Sequence, residues 1–251
     1  MREQSAAATL RGTYYLTQEV VMAQAAIPAP RVDTRGSTLT TDSVRWRWAG
    51  GFGIAHIVVL LGAFAIEGVA ATHPWSQQAS AFADRSMHRI YYASYVEAMA
   101  FTLLVPALVL LGGLLGRRTE TGRVAGQVMV GLGFAYVGAT LAIGFPPLTT
   151  ETYAAQHGAG NAVVGSIDML RNYGFILQVA CSLAFTIALG VAALAERTMR
   201  KWAGIGGVAV GGIGLLVTPF AHNAINLVWM VWWVGLCLLC LRGGPRNRIE
   251  V

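Results

Sequence analysis

The chain has 251 residues, of which 55% are hydrophobic and only 12% are charged, and its formal net charge at pH 7 is +6. A water-soluble domain carries about twice that share of charged residues, and a disordered chain is far less apolar, so both classes are excluded. The composition indicates an integral membrane protein that crosses the bilayer several times.

Residues 1–44 differ in composition from the rest of the chain, because they are rich in Ser, Thr, Ala and Gln and contain no long apolar run. We expect this segment to be a disordered cytoplasmic extension. It is not a secretory signal peptide, since no continuous apolar core of suitable length follows its basic start.

Six apolar stretches follow, each about 20 residues long and able to cross a hydrocarbon core about 30 Å thick. They cover roughly residues 50–70, 91–115, 124–145, 172–195, 203–219 and 223–241. Backbone groups in lipid have no water to bond, so each stretch is predicted to be helical. The prediction is an all-α bundle of six transmembrane helices within residues 45–242, followed by a cytoplasmic tail over residues 243–251.

The last two stretches are separated only by Phe220, Ala221 and His222, which predicts a tight helical hairpin. Similar tetrapeptides with a basic residue and an Ala-Gly pair open the first, third and fifth stretches, at spacings of 76 and 78 residues. They are Arg47–Gly50, Arg123–Gly126 and Lys201–Gly204. This pattern predicts three related hairpins, although chance similarity stays open because Ala and Gly are common here.

The basic residues predict the orientation. One side of the predicted bundle carries eleven of them and the other side three. The eleven are Arg45, Arg47, Arg117, Arg118, Arg123, Arg197, Arg200, Lys201, Arg242, Arg246 and Arg248. Because cytoplasmic loops carry the excess of Lys and Arg, both termini are predicted to be cytoplasmic, in a bacterial inner (plasma) membrane.

Thirty glycines are concentrated in the predicted spans rather than in the loops. Small residues let helix backbones approach closely in lipid, so the third and fifth helices are predicted to be central packing elements. Trp229, Trp232 and Trp233 of the sixth helix either fill space against them or face lipid. The same glycine faces leave open an association with a partner protein or with a second copy of the chain.

Glu67 and Glu97 are the candidate catalytic residues, because an ionisable group inside a span costs roughly 2.5 to 3.5 kcal/mol on insertion scales and is kept for a reason. His56 precedes Glu67 by eleven residues. At 100° per residue the two side chains differ by about 20° and share one helix face. We expect that face to look into the bundle.

Further polar residues converge on the predicted outer leaflet, and together with His56 they are the candidate ligand-binding residues. They are Arg89, Tyr95, Asp168, Arg171, Gln178, His222 and Asn226. They predict a partly hydrated pocket that is open to the extracytoplasmic side. The alternative is structural: Arg89 or Arg171 forms an ion pair with one of the two glutamates, and the tyrosines form an aromatic belt.

Motifs for other chemistries are weak. Cys237 and Cys240 have CxxC spacing but lie in an apolar helix with no second pair, and the outer histidines are irregularly spaced, so no metal site is predicted. No cofactor is indicated by any motif. The arginines form no basic stripe interleaved with aromatics, which argues against a nucleic-acid partner. Membrane lipid is the expected partner.

The chain resembles a group of uncharacterised six-helix inner-membrane proteins, frequent in actinobacteria, whose odd-numbered helices begin as Arg47–Gly50 and Arg123–Gly126 do. The resemblance covers about residues 45–242 and implies a fold but no chemistry. A fainter likeness is to integral-membrane terpene cyclases, which use membrane-embedded carboxylic acids to protonate a polyprenyl chain. That likeness implies a role for Glu67 and Glu97, although those enzymes are expected to have seven helices.

Three functions remain open. The first is a multi-pass protein that binds or transports a small or lipophilic molecule through an outer-leaflet polar cavity. The second is a lipid-phase enzyme, such as an isoprenoid or terpene cyclase, in which a buried glutamate is the general acid. The third is a structural or accessory subunit that packs through its glycine faces.

Overall fold

The computed structural model describes residues 38–68, 75–144 and 146–244. The predicted extension up to residue 37 and the predicted tail beyond residue 244 lie outside the described residues. The first helix begins at Thr38, seven residues ahead of the predicted domain boundary at residue 45. The described residues contain no β-strand, so the all-α class is confirmed.

Seven α-helices make up almost all of the described chain. Their bounds are α1 Thr38–Glu67, α2 Gln78–Ala83, α3 Met87–Leu115, α4 Glu120–Ala139, α5 Pro146–Gln156, α6 Asn161–Glu196 and α7 Lys201–Leu241. A 3₁₀ turn over Trp75–Gln77 precedes α2, and a π-helical turn over Thr140–Gly144 separates α4 from α5.

Local sequence signals explain several of the helix ends. Ser86 and Thr119 precede α3 and α4, and each side chain accepts a hydrogen bond from a backbone N–H in the first turn. These are N-cap interactions, which satisfy amide groups that a helix start leaves unpaired. At the other end of α6, Arg197 adopts a left-handed conformation with φ of 52°, which stops the helix.

Five helical segments are long and apolar enough to cross a membrane. They are Asp42–Glu67, Met87–Leu115, Glu120–Gln156, Asn161–Glu196 and Lys201–Leu241. The third of these joins α4, the π-helical turn and α5. The sequence predicts six spans, and the difference lies in α7, which contains both the fifth and the sixth predicted stretches.

Helix α7 has 41 residues and bends in the middle. A straight helix of that length would be about 60 Å long, about twice the hydrocarbon thickness. Its backbone is not helical at Ala221, with φ of −145° and ψ of 43°, two residues after Pro219. Proline removes a backbone donor and clashes with the preceding turn, which accounts for the position of the bend.

Contacts within α7 show how far it bends. Gly214 lies against Ile225, and further from the bend Gly207 lies against the ring of Trp232. A straight helix cannot bring such positions together, so the second half of α7 (222–241) returns along the first half (201–220). The predicted break at residues 220–222 therefore coincides with the bend at Ala221.

The other long helices also pack with opposite directions in chain order. His56 of α1 meets Ala100 of α3, whereas the end of α1 at Ile66 meets Arg89 near the start of α3. In the same way the end of α3 at Gly116 meets Arg123 near the start of α4. Short connections between long helices favour this antiparallel arrangement.

Helix α6 packs beside α4 and the π-helical turn, and α7 packs on both α6 and α1. Gly174 near the start of α6 lies against Ile143 in the π-helical turn, and Gly190 of α6 lies against Gly204 of α7. The second half of α7 then packs on α1, where Gly53 lies against Trp233. The bundle therefore has one end that holds the starts of α1, α4 and α7, and an opposite end that holds the starts of α3 and α6.

Aromatic side chains fill the centre of the bundle. The rings of Phe101, Tyr136, Phe185, Trp229 and Trp233 are buried and lie with centroids 5.2 to 6.0 Å apart. The indole N–H of Trp229 donates to the Thr186 hydroxyl, and that of Trp233 donates to the carbonyl of Gly53. Trp232 is buried as well, but its indole N–H has no hydrogen-bond partner. The tryptophans thus fill the core rather than face lipid.

Gly211 and Gly212 of α7 form a matched pair for testing close helix packing. A methyl group on Gly211 would lie 2.7 Å from the carbonyl oxygen of Leu183 in α6, whereas one on Gly212 meets nothing within 4 Å. We expect Gly211→Ala to lower the free energy of unfolding by about 1–3 kcal/mol, because the helices must separate. Gly212→Ala should leave it unchanged or raise it by up to about 1 kcal/mol. Denaturant titration in detergent measures both, and equal losses would contradict the packing.

A buried glutamate joins α6 to the start of α4. Glu196 is 2% exposed, and its carboxylate accepts hydrogen bonds from the backbone N–H groups of Arg118 and Thr119 and from the Thr119 hydroxyl. The site needs Gly122, since a Cβ there would lie 2.2 Å from the carboxylate. A negative charge at a helix start is also favoured by the helix dipole.

We expect Glu196→Gln to lower the free energy of unfolding by about 1–3 kcal/mol, because one oxygen acceptor is replaced by an amide donor that faces backbone N–H groups. Glu120→Gln is the control at the same end of the bundle: Glu120 is exposed and pairs only with Arg123. Glu120→Gln should lower the free energy of unfolding by less than about 1 kcal/mol. Similar shifts of the thermal midpoint for the two variants would refute the role of Glu196.

Candidate functional site

Charged side chains from four helices and from the loop after α2 meet at the end of the bundle that holds the starts of α3 and α6. We call this set the polar end. It consists of Glu67, Arg85, Glu97, Glu151, Asp168 and Arg171. Helices α1, α3, α5 and α6 supply five of the residues, and Arg85 directly follows α2.

Arg171 connects two of the carboxylates. Its guanidinium nitrogens lie 3.8 Å from Glu151 and 3.3 Å from Asp168. Asp168 also accepts hydrogen bonds from the amide groups of Gln78, at 3.2 Å, and Asn172, at 3.3 Å. Asp168 therefore has hydrogen-bond partners as well as an ion pair, whereas Glu151 has the ion pair with Arg171 and a weaker electrostatic interaction with Arg85.

Arg85 forms the second ion pair of the polar end. Its guanidinium lies 3.7 Å from Glu67. The ring of Phe82 in α2 lies between the two arginines, with the guanidinium carbons of Arg85 and Arg171 at 5.3 and 5.8 Å from its centroid. Cation–π contacts of this kind help to hold both guanidinium groups in place.

Glu151 is the most buried member, with 0% of its surface exposed. It lies on the face of α5 that also buries Pro147, Leu148 and Thr152. Neither of its oxygens accepts a hydrogen bond, and the Thr152 hydroxyl is likewise buried with no hydrogen-bond partner. Buried polar atoms are nearly always hydrogen-bonded to protein or to ordered water. We therefore expect a water molecule or a ligand to bind at this face of α5.

Glu97 is also buried, at 5% exposure. It interacts electrostatically with Glu67 and Arg171, and the core residue Tyr136 lies within range of its charge. Within the described parts of the chain, no Lys, Arg or His approaches it closely enough for an ion pair. Glu97 thus links the polar end to the aromatic core.

The structure brings four of the predicted site residues together: Glu67, Glu97, Asp168 and Arg171. Of the two predicted arginines, Arg171 forms ion pairs, whereas Arg89 donates to the backbone carbonyls of Ile66 and Ala65. Arg89 therefore satisfies two carbonyl groups in the last turn of α1, where a helix leaves its final carbonyls without partners in the helix.

His56 and Tyr95 lie apart from the polar end. His56 is fully buried, its Nδ1 lies 2.8 Å from the Ala100 carbonyl oxygen, and its ring packs edge-on against Phe101. Its Nε2 has no hydrogen-bond partner. Tyr95 is 63% exposed on the outside of the bundle, where an aromatic belt would lie.

Gln178, His222 and Asn226 occupy other positions near this end. Gln178 is buried against Gly144 in the π-helical turn, and its Nε2 has no hydrogen-bond partner. His222 follows the bend of α7, and its ring packs on Phe175 with centroids 5.5 Å apart. Asn226 is half-buried one turn further on. Among the described residues, no hydrogen bond or ion pair joins these three to the polar end.

Sequence reasoning missed Glu151 and the part played by Arg85. Both lie outside the six apolar stretches, in segments that read as loops. The signal for Glu151 was the spacing of three and four between Pro147, Leu148, Glu151 and Ala155, which is typical of one buried helix face. Within a segment of 11 residues that signal does not say what the face packs against.

Two further features bear on chemistry. Among the described residues, no group of three or more His, Cys, Asp or Glu side chains is arranged to hold a metal ion. A groove of about 590 Å³ lies between α4 and α6, lined by apolar side chains such as Val124, Val128 and Ile187. Glu120 at its edge is engaged by Arg123, so the groove offers no group for acid–base chemistry.

No known protein family, curated protein or solved structure matches this chain.

We expect Arg171→Gln to lower the free energy of unfolding by on the order of 3 kcal/mol, because Glu151 is left buried without a counter-charge. The double variant Arg171→Gln with Glu151→Gln should recover part of that loss, since both charges are then removed. Arg123→Gln, which breaks an exposed pair, is the control. Denaturation midpoints in detergent give the coupling energy, and strictly additive losses would show that the two residues do not interact.

Proposed function

We propose that the protein is a multi-pass inner-membrane protein that binds a small solute at the polar end and carries it into or across the bilayer. The single observation that carries the proposal is the burial of Glu151 with two oxygens that accept no hydrogen bond. A carboxylate in this position is costly unless a ligand, a proton or water satisfies it. Intramembrane ionisable groups that face the bundle interior typically mark solute pathways.

Six crossings with both termini cytoplasmic are part of the proposal. The bend of α7 supports two crossings by that helix, because each half has a suitable length for the hydrocarbon core. The starts of α1 and α4 and the end of α7 lie at one end of the bundle: Asp42 pairs with Arg117 at 2.6 Å, and Gly243 lies against Arg47. That end carries most of the basic residues, so by the positive-inside rule it is the cytoplasmic one.

In this orientation the polar end lies at the outer leaflet. The helix α4, the π-helical turn and α5 then form one interrupted span, as transporter helices do where they line a binding site. The π-helical turn at Thr140–Gly144 is packed against Gln178 and Gly174 of α6. Turns of this type frequently lie at functional sites, because they break the regular backbone pattern.

A second candidate function is lipid-phase catalysis with Glu97 as general acid. The observation that favours it is the burial of Glu97 without an ion-pair partner among the described residues. A carboxyl group in an apolar setting is suited to proton donation toward an isoprenoid or lipid substrate. The two functions differ in the residue they need, since binding depends on Glu151 and catalysis on Glu97.

Mass spectrometry of small molecules that co-purify with the protein tests the proposal. We expect a bound solute on the wild-type protein, its occupancy lowered about tenfold by Glu151→Gln because a charged hydrogen-bond acceptor is lost, and unchanged by Glu120→Gln. Equal occupancy in all three would refute a site at Glu151. If Glu97→Gln keeps the solute but a product is no longer found beside it, the catalytic function is supported instead.

A further inference from the structure

Acidic groups outnumber basic groups at the polar end. Four carboxyl groups, from Glu67, Glu97, Glu151 and Asp168, face two guanidinium groups, from Arg85 and Arg171. The other charged side chains nearby, Asp84 and Arg89, are exposed and opposite in sign, so they leave this difference unchanged.

Both guanidinium groups are already engaged with acids. Arg85 faces Glu67, and Arg171 is shared between Glu151 and Asp168. An anionic solute would approach these arginines only by meeting the carboxylates that surround them. Like charges in a low dielectric repel strongly, so the arrangement disfavours an anion and favours a cation.

The unsatisfied atoms on α5 are oxygens of the kind that coordinate small cations. Arg85 Nη1 also lacks a hydrogen-bond partner, but it lies 3.7 Å from the Glu67 carboxylate. The Glu151 carboxylate and the Thr152 hydroxyl are adjacent in α5 and fully buried, and none of their oxygens has a hydrogen-bond partner. Helices α2, α3 and α6 pack around α5, so these oxygens lie inside the bundle rather than toward lipid. Carboxylate and hydroxyl oxygens suit hard cations and ammonium groups.

The same set does not suit a divalent metal. Such ions take several acidic oxygens at once, and the described residues hold no cluster of three acids, histidines or cysteines that could supply them. One carboxylate beside one hydroxyl, in a set whose carboxyl groups outnumber its guanidinium groups by two, matches a single positive charge.

We propose that the polar end binds a monovalent cation, either an alkali ion or the ammonium group of a primary amine. This assignment rests on the proposed function and names the solute class for it. Glu151 and Thr152 supply the oxygen ligands. Arg171 positions Glu151 by drawing its carboxylate toward α6.

The test uses the full chain purified into nanodiscs of uncharged lipid, in choline chloride at constant ionic strength. Sodium chloride or propylammonium chloride replaces the choline salt stepwise while the thermal midpoint of unfolding is followed. We expect a saturable rise with at least one of the two cations, since a ligand that binds only the folded state stabilises it. If the thermal midpoint rises with sodium alone, the site binds an inorganic ion. If it rises with propylammonium alone, or with both cations, the site accepts an amine.

Two variants locate the site and one controls for charge. Glu151→Gln should abolish the cation-dependent rise, and Glu120→Gln, which removes the same charge at the other end of the bundle, should keep it. Thr152→Val keeps every charge and removes one oxygen, so it should weaken the apparent affinity about tenfold. The Thr152→Val variant therefore tests the site even if Glu151→Gln does not fold.

The matched probes 1-propanol and propionate separate failure of this inference from failure of the proposed function. If either one gives a saturable rise that Glu151→Gln or Thr152→Val removes, while both cations give none, the solute site stands and the cation assignment is refuted. If no probe gives a rise, both proposals are refuted. A cation effect that persists equally in Thr152→Val and Glu151→Gln also refutes the assignment.

Discussion

The ion pair between Glu151 and Arg171 is the contact on which the arrangement of the polar end depends. Glu151 is fully buried and lies 3.8 Å from Arg171, which also pairs with Asp168. In a low-dielectric interior a buried carboxylate needs such a partner, because the cost of removing its charge from water would otherwise be too high. The pair therefore ties α5 to α6 and keeps an 11-residue helix inside the bundle.

Close backbone approach between helices holds the end of the bundle opposite the polar end. Gly190 of α6 lies against Gly204 of α7, and Gly112 of α3 lies beside Gly126 of α4, where any larger residue would hold the helices apart. Lipid offers no hydrophobic force between helices, so packing of small residues must supply much of their attraction. At this same end Glu196 anchors the start of α4. The ion pairs of the polar end hold the other end of the long helices.

The two ends of the bundle use carboxylates differently. Glu196 accepts four hydrogen bonds from one helix start and is fully satisfied. Glu151 accepts none, and Glu97 has no ion pair among the described residues. A satisfied buried charge stabilises a fold, whereas an unsatisfied one retains the capacity to bind. This difference, rather than burial alone, separates the structural glutamate from those at the candidate site.

The sequence by itself determined the all-α class, the apolar helices and the break near Ala221, because helix length and hydropathy are local properties of the chain. It placed ten candidate site residues together, of which the structure brings four to the polar end: Glu67, Glu97, Asp168 and Arg171. Similar tetrapeptides at Arg47 and Lys201 predicted a repeat, but α1 begins nine residues before Arg47 whereas α7 begins at Lys201, so the structure lends the repeat no support.

Only the tertiary structure decided that α5 packs inside the bundle and that Glu67 pairs with Arg85. It also decided that Arg89 donates hydrogen bonds to backbone carbonyls of α1. The physical reason is that burial and pairing depend on which helices pack together. That packing joins residues as distant in the chain as Glu67 and Arg171, and no local pattern in the sequence encodes it.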